Sequence, residues 1–242
     1  NSVHDNGGFI GRVADYTATD SYQIVGGYSP YSFSFDHITF GVGSQANEPR
    51  GLFFKPDGTM LFVVDNGADN VYSYSLTTAW DLSTASYTGD LFSVSSQTSR
   101  ASDIYLKPDG TKLYVSGQLI NGLSEYSLST AWDITTASFS SGTGEFSEGV
   151  GVMGLTFKPD GTQFYVSNFH NDYVHVYSMT TAWDISTHSF SGDEFSLLSQ
   201  VGSPTAIAFN SDGTIMYAVG EDDYFASWDL STAYDVTTAT FN

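Results

Sequence analysis

Short apolar runs separated by polar turns set the pattern of this chain. Gly51-Leu52-Phe53-Phe54 is apolar throughout, as in a strand covered on both faces. Pro56-Asp57-Gly58 follows. Pro presets φ for a turn, Asp bonds its own backbone and Gly supplies positive φ. A second apolar run extends from Met60 to Val64, a polar loop from Asp65 to Asn70, and then Val71-Tyr72-Ser73-Tyr74-Ser75 alternates like a half-exposed strand. A Ser/Thr-rich connection carrying Trp80 leads to a fourth strand near Tyr87 to Val94. No stretch has a helical period of useful length.

This unit recurs. Lys55-Pro56-Asp57-Gly58-Thr59 returns as Lys107 to Thr111, as Lys158 to Thr162 and as Asn210-Ser211-Asp212-Gly213-Thr214, while Thr78-Ala79-Trp80-Asp81 returns at Thr130, Thr181 and, with Tyr234 for Trp, at Thr232. Four antiparallel strands repeated at this period predict an all-β fold, a β-propeller of four-stranded antiparallel blades. One blade cannot bury both faces alone; packing blades round an axis buries them and leaves few open edges. Trp80, Trp132, Trp183 and Tyr234 are expected to fill the space between blades. The 242 residues read as a single propeller domain with repeats at 50–99, 100–149, 150–201 and 202–242.

Residues 1–49 carry a faded copy: Asp5-Asn6-Gly7 has the turn chemistry, Phe9 to Val13 fits a second strand, and Asp20 to Ile24 a third. Five blades are therefore expected, with a degenerate N-terminal blade. Five repeats need about 15 more residues than the chain has, so the last blade would be shared between the termini or left partly open. The alternative is four blades, with residues 31–42 completing the last blade and residues 1–30 as an arm. An open edge or arm could exchange a strand with another copy of the chain. The chain begins with Asn1 rather than Met, which reads as a processed or excised segment.

With 27 acids against 7 bases, the net charge is −20, a field that repels nucleic-acid phosphates and anionic membranes. No nucleic-acid partner is expected. No apolar run is long enough for a spanning helix, so no membrane insertion is expected. Absence of Cys rules out disulfides and thiolate chemistry.

Tyr165-Val166-Ser167-Asn168, followed by Asp172-Tyr173-Val174-His175-Val176-Tyr177, gives residues 50–242 a family likeness. They resemble the secreted and cell-surface β-propeller repeats named for Tyr-Val-Thr-Asn. The phrase of apolar strand, Lys-Pro-Asp-Gly-Thr, Tyr-Val strand and Ser-Thr-Ala-Trp-Asp is also similar to repeats of marine bacterial surface proteins and phage tail or fibre proteins. The resemblance implies an extracellular, cell-surface or virion-surface location and a role in attachment or assembly. It brings no catalytic motif.

Motifs for chemistry are few. The five His show no His-Glu-x-x-His spacing, although His170 and His175 flank one loop and strand as a candidate metal or acid/base site. The Gly-rich segments precede strands, not the helix N-termini that cradle phosphates. No Gly-x-Ser-x-Gly elbow is present. The loops where the copies differ gather on one face of a propeller, the usual place for recognition. Their candidates for ligand binding are Asp65, Asn66, Gln118, Asn168, His170, Asp172, Glu221 and Asp222. The connections into the first strands add Glu48, Arg50, Arg100 and Asp103, whose mixed signs count against a clean divalent site. No cofactor is expected, with Ca²⁺ the one ion that varied loop oxygens would suit. The reading is a non-enzymatic structural, adhesive or receptor-binding module. Its partners would be further copies of itself, or a surface glycan or receptor protein. The alternatives are a glycan-binding lectin and a metal-dependent propeller hydrolase or lactonase.

Overall fold

A computed structural model describes residues 38–148 and 151–242. It contains four four-stranded antiparallel sheets. Blade 1 is β1 (Pro49–Phe54), β2 (Met60–Asp65), β3 (Asn70–Leu76) and β4 (Ala85–Ser93). Blade 2 is β5 (Ala101–Leu106), β6 (Lys112–Gly117), β7 (Gly122–Leu128) and β8 (Ala137–Gly142). Blade 3 is β9 (Val152–Phe157), β10 (Gln163–Asn168), β11 (Tyr173–Met179) and β12 (His188–Ser196). Blade 4 is β13 (Pro204–Phe209), β14 (Ile215–Gly220), β15 (Phe225–Leu230) and β16 (Ala239–Phe241). The first strand of each is innermost, with β5 packed between β1 and β9, and β9 against β13.

The two repeated phrases are halves of one interaction. Asp57 Oδ1 accepts from the Thr59 backbone N (3.0 Å) and hydroxyl (2.6 Å), closing the turn. Gly58 has φ +71, and a Cβ there would fall on the Trp80 indole, whose backbone N donates to Gly58 O at 3.0 Å. The same arrangement joins Gly110 to Trp132, Gly161 to Trp183 and Gly213 to Tyr234. Asp81, Asp133, Asp184 and Asp235 then cap short 3-10 turns. Trp132 and Trp183 also reach the preceding blade, as expected: Trp132 lies 6.4 Å from Phe62, and Trp183 6.2 Å from Tyr105.

The core is split by blade junction. One cluster (Phe62, Val64, Val71, Ile104, Leu113, Tyr126) lies between blades 1 and 2. A second (Tyr114, Leu155, Phe157, Phe164, Tyr177) lies between blades 2 and 3, and a third (Tyr165, Val176, Ile207, Met216, Trp228) between blades 3 and 4.

The described residues carry four blades rather than the favoured five. The expected degenerate N-terminal blade, residues 1–49, lies mostly on residues 1–37, outside the described residues. Its far end is visible. Residues 38–48 form no strand, but Phe40, Val42 and Ala46 pack on blade 1. Phe40 meets Tyr74 edge-on at 5.4 Å, as Phe92 meets Tyr126 at 5.1 Å and Phe195 meets Trp228 at 5.8 Å. Val42 O accepts from Gln45 and Ala46 N, as Val94 O does from Gln97 and Thr98 N. This connector is a third repeated phrase that the sequence reading missed. The last blade does not borrow its outer strand: Trp228, Asp229 and Leu230 of β15 pair with Phe241, Thr240 and Ala239 of β16.

Candidate functional site

The connectors into the inner strands and the loops between second and third strands meet at one end of the blade axis. They form a cup of two adjoining pockets, of about 470 and 490 Å³, that share Arg50, Arg100, Gln118 and Leu119. Its wall includes Arg50, Arg100, His170, Gln118, Glu48, Glu145 and Phe169. Two of the chain's three arginines stand here, in a protein of net charge −20. Neither position is basic in the other copies: Arg50 corresponds to Ser102, Met153 and Thr205, and Arg100 to Glu48, Gly151 and Ser203. Arg50 Nη1 is buried without a hydrogen-bond partner; Glu221 Oε1 lies 3.6 Å away, beyond hydrogen-bond range. The ion pair ties Arg50 of blade 1 to Glu221 of blade 4 and leaves a hydrogen-bonding position of the guanidinium unused.

Below the cup the inner strands enclose a second, smaller cavity of about 40 Å³, lined by Arg50, Asp103, Leu155, Thr205 and neighbours from all four blades. Asp103 belongs to β5 and not to a connecting loop. Its Oδ1 accepts from Ile104 N (2.9 Å) and its Oδ2 from Leu155 N of blade 3 (2.8 Å). Burial pushes its carboxyl up to about 7, against the lowering effect of those two donors.

The expected ligand residues divide by role. Asn66, Gln118 and His170 line the cup, and Glu221 stands beside Arg50. The others build loops. Asp65 accepts from Glu48 N and Ala68 N, Asn168 from His170 N and Asn171 N, and Asp222 from Gly202 N. Asp172, at φ +60, accepts from Ser203 N (2.6 Å) and so ties blade 3 to blade 4, as Asp69 ties blade 1 to Ala101 of blade 2. His170 and His175 do not share a site. His175 is buried on β11, 3.3 Å from Glu194 and 3.2 Å from Asn171. Burial lowers its pKa against the upward pull of Glu194 and Glu148. Among the described residues no three His, Asp or Glu converge as a metal would require. None of their helices is long and apolar enough to cross a membrane. Arg50, Arg100 and Asp103 were visible in sequence as departures from the repeat, but their convergence was not.

Fold and site together define a β-propeller with a cup of mixed charge, carrying two arginines, at one end of its axis. The chain belongs to the lactonase family of seven-bladed β-propellers, whose profile matches residues 42–182. Solved structures agree on the fold. A candidate 6-phosphogluconolactonase of Bacteroides uniformis is 15% identical with a TM-score of 0.55, covering 84% of this chain and 56% of that one. A candidate 6-phosphogluconolactonase of Bacteroides fragilis is 15% identical with a TM-score of 0.56, covering 81% and 53%. The periplasmic gluconolactonase of Pseudomonas aeruginosa is 15% identical with a TM-score of 0.51, covering 81% and 52%. The chain thus spans about half the length of these structures. No curated protein matches it in sequence.

Membership of this family overturns the likeness to Tyr-Val-Thr-Asn surface repeats and to phage tail proteins. It also overturns the non-enzymatic, adhesive and structural readings that followed from that likeness. The physical reason is that the residues carrying the likeness are consumed in building blades. Lys-Pro-Asp-Gly-Thr, the Tyr-Val strand and Ala-Trp-Asp make turns, core and caps, and propellers of many functions share those needs.

Proposed function

We propose that the protein is a hydrolase that opens small lactones in the axial cup. The observation that carries this reading is the gathering of Arg50, Arg100 and His170 at the mouth of the axis, in a chain of the lactonase family. Water attack on a cyclic ester places negative charge on the carbonyl oxygen. Preorganised donors in a partly dry site stabilise that charge more than water does. Arg50, whose Nη1 is ion-paired with Glu221 but makes no hydrogen bond, is placed to meet the oxyanion. Arg100, across the same cup, is placed to hold a carboxylate or phosphate on the substrate, and Gln118 and Asn66 to bond sugar hydroxyls. A volume of about 470 Å³ suits a small polar ligand.

The test is hydrolysis of a panel of neutral, carboxylated and phosphorylated sugar lactones, followed by proton release at constant pH. Anionic lactones should be preferred. Arg50→Ala should lower kcat/KM by about 100-fold or more, the usual loss of one oxyanion donor. Wild-type protein that opens no lactone in the panel would overturn the reading.

A further inference from the structure

We propose that the small axial cavity below the cup holds the attacking water and that Asp103 accepts its proton; this rests on the lactone-hydrolase reading. The repeat places Gly51, Asp103, Gly154 and Ala206 at one level of the axis. At this level the register of each inner strand with its neighbour shifts: Pro49/Leu52, Ala101/Asp103 and Pro204/Ala206 on the inner strands, and Val166/Asn168 opposite β9. Such irregularities re-aim a side chain. The level is crowded. A Cβ on Gly51 would strike Asp103, and one on Gly154 would lie 2.7 Å from Ala206 Cα. Three small residues leave room for one functional side chain, and that side chain is a carboxylate.

Asp103 is fixed but not saturated. A carboxylate offers about four lone-pair positions, and two backbone donors use one on each oxygen. The cavity of about 40 Å³ is too small for a lactone. It has room for roughly three waters at about 10–15 Å³ each. Arg50 lines both this cavity and the cup, so water below and carbonyl above would both lie beside Arg50. Among the described residues lining the cavity, Arg50 of β1 is the charged neighbour. β5 adds Ser102 and Tyr105, β9 adds Leu155 and Thr156, and β13 adds Thr205 to Ala208. Ser116 of β6 accepts from Asp103 N at 3.0 Å. A carboxyl raised to about 7 by burial can hold a proton and return it near neutral pH.

The step balances. As water oxygen bonds to the carbonyl carbon, its proton passes to Asp103 and the carbonyl electrons move to an oxyanion facing Arg50. The ring C–O bond then breaks, and the proton on Asp103 passes to the leaving alkoxide, giving the open hydroxy acid. A purely structural role, tying blade 2 to blade 3 through Leu155 N, would leave the pH profile of the reaction unchanged.

The experiment is kcat and KM between about pH 5 and 9 for wild type and Asp103→Asn, on the lactone that wild type hydrolyses best. The expected result is a kcat loss of about 100- to 10,000-fold, loss of the acid limb and little change in KM. Kinetics within about threefold of wild type, with the limb kept, would overturn the proposal. NMR of wild type with ¹³C-labelled aspartate needs no variant to fold. A carboxyl titrating at the midpoint of the acid limb supports the proposal, and none doing so overturns it. Hydrolysis with Asp103 silent sinks this assignment alone; no hydrolysis by wild type sinks the hydrolase reading with it.

Discussion

At the scale of single residues, most of the chain's acidity is structural. Asp57 and Asp109 hold pKa values of about 2. Slight burial acts upward, but the hydrogen bonds from Lys and Thr and the Lys charge outweigh it. Each such Asp closes a turn whose glycine supports an aromatic ring. Gly161 shows what the contact demands: φ is +71, and a Cβ would enter the Trp183 indole. Gly161→Ala should therefore cost about 2–4 kcal/mol, combining backbone strain with displacement of the ring. Gly192→Ala, at φ +89 with open space around it, should cost only the strain, about 1 kcal/mol. Urea denaturation of the two variants checks the difference; equal midpoints would show that the ring contact contributes nothing. The turn chemistry of Pro-Asp-Gly was legible in sequence because it is local. The partner of the glycine was not, because Trp80, Trp132, Trp183 and Tyr234 reach it only through their own positive φ of 63–68°.

At the scale of elements, strands are standardised and junctions are individual. Glu125 is buried on β7, where the other copies have Ser73, Val176 and Ser227. It accepts from Lys112 Nζ (2.7 Å), Ser140 Oγ (3.0 Å) and, across the junction, Ile185 N of blade 3 (3.1 Å). Lys112 Nζ and Tyr114 Oη both donate to Trp183 O at 2.7 Å. Blade 2 thus grips the short 3-10 turn of blade 3 by its polar atoms. Lys112→Met leaves the carboxylate buried and should cost about 2–3 kcal/mol, less than for a fully buried pair because Lys112 is partly exposed. Adding Glu125→Leu should recover most of that loss. A double variant no more stable than the single one would show that the junction depends on the ion pair itself. Strand positions were readable to within one or two residues because apolar runs and turn residues mark them. The tie at Glu125 was not readable, because its partners lie in another repeat.

At the scale of the whole molecule, the blades share an axis, and it is there that the singular residues meet. A net charge of −20 opposes compaction through self-repulsion. Raising NaCl from about 20 mM to about 500 mM should screen that repulsion and raise Tm by several degrees in calorimetry. An unchanged Tm would show that the local ties of the turn carboxylates already neutralise their field. The sequence by itself determined the blade: its strands, turns, caps and period follow from local chemistry repeated four times. Tertiary structure decided the site. Arg50 comes from blade 1, Arg100 and Asp103 from blade 2, and His170 from blade 3. In sequence each is an isolated departure from the repeat. They become one cup above one cavity because packing the blades round the axis brings equivalent positions of different repeats to the same level, a relation that no local spacing encodes.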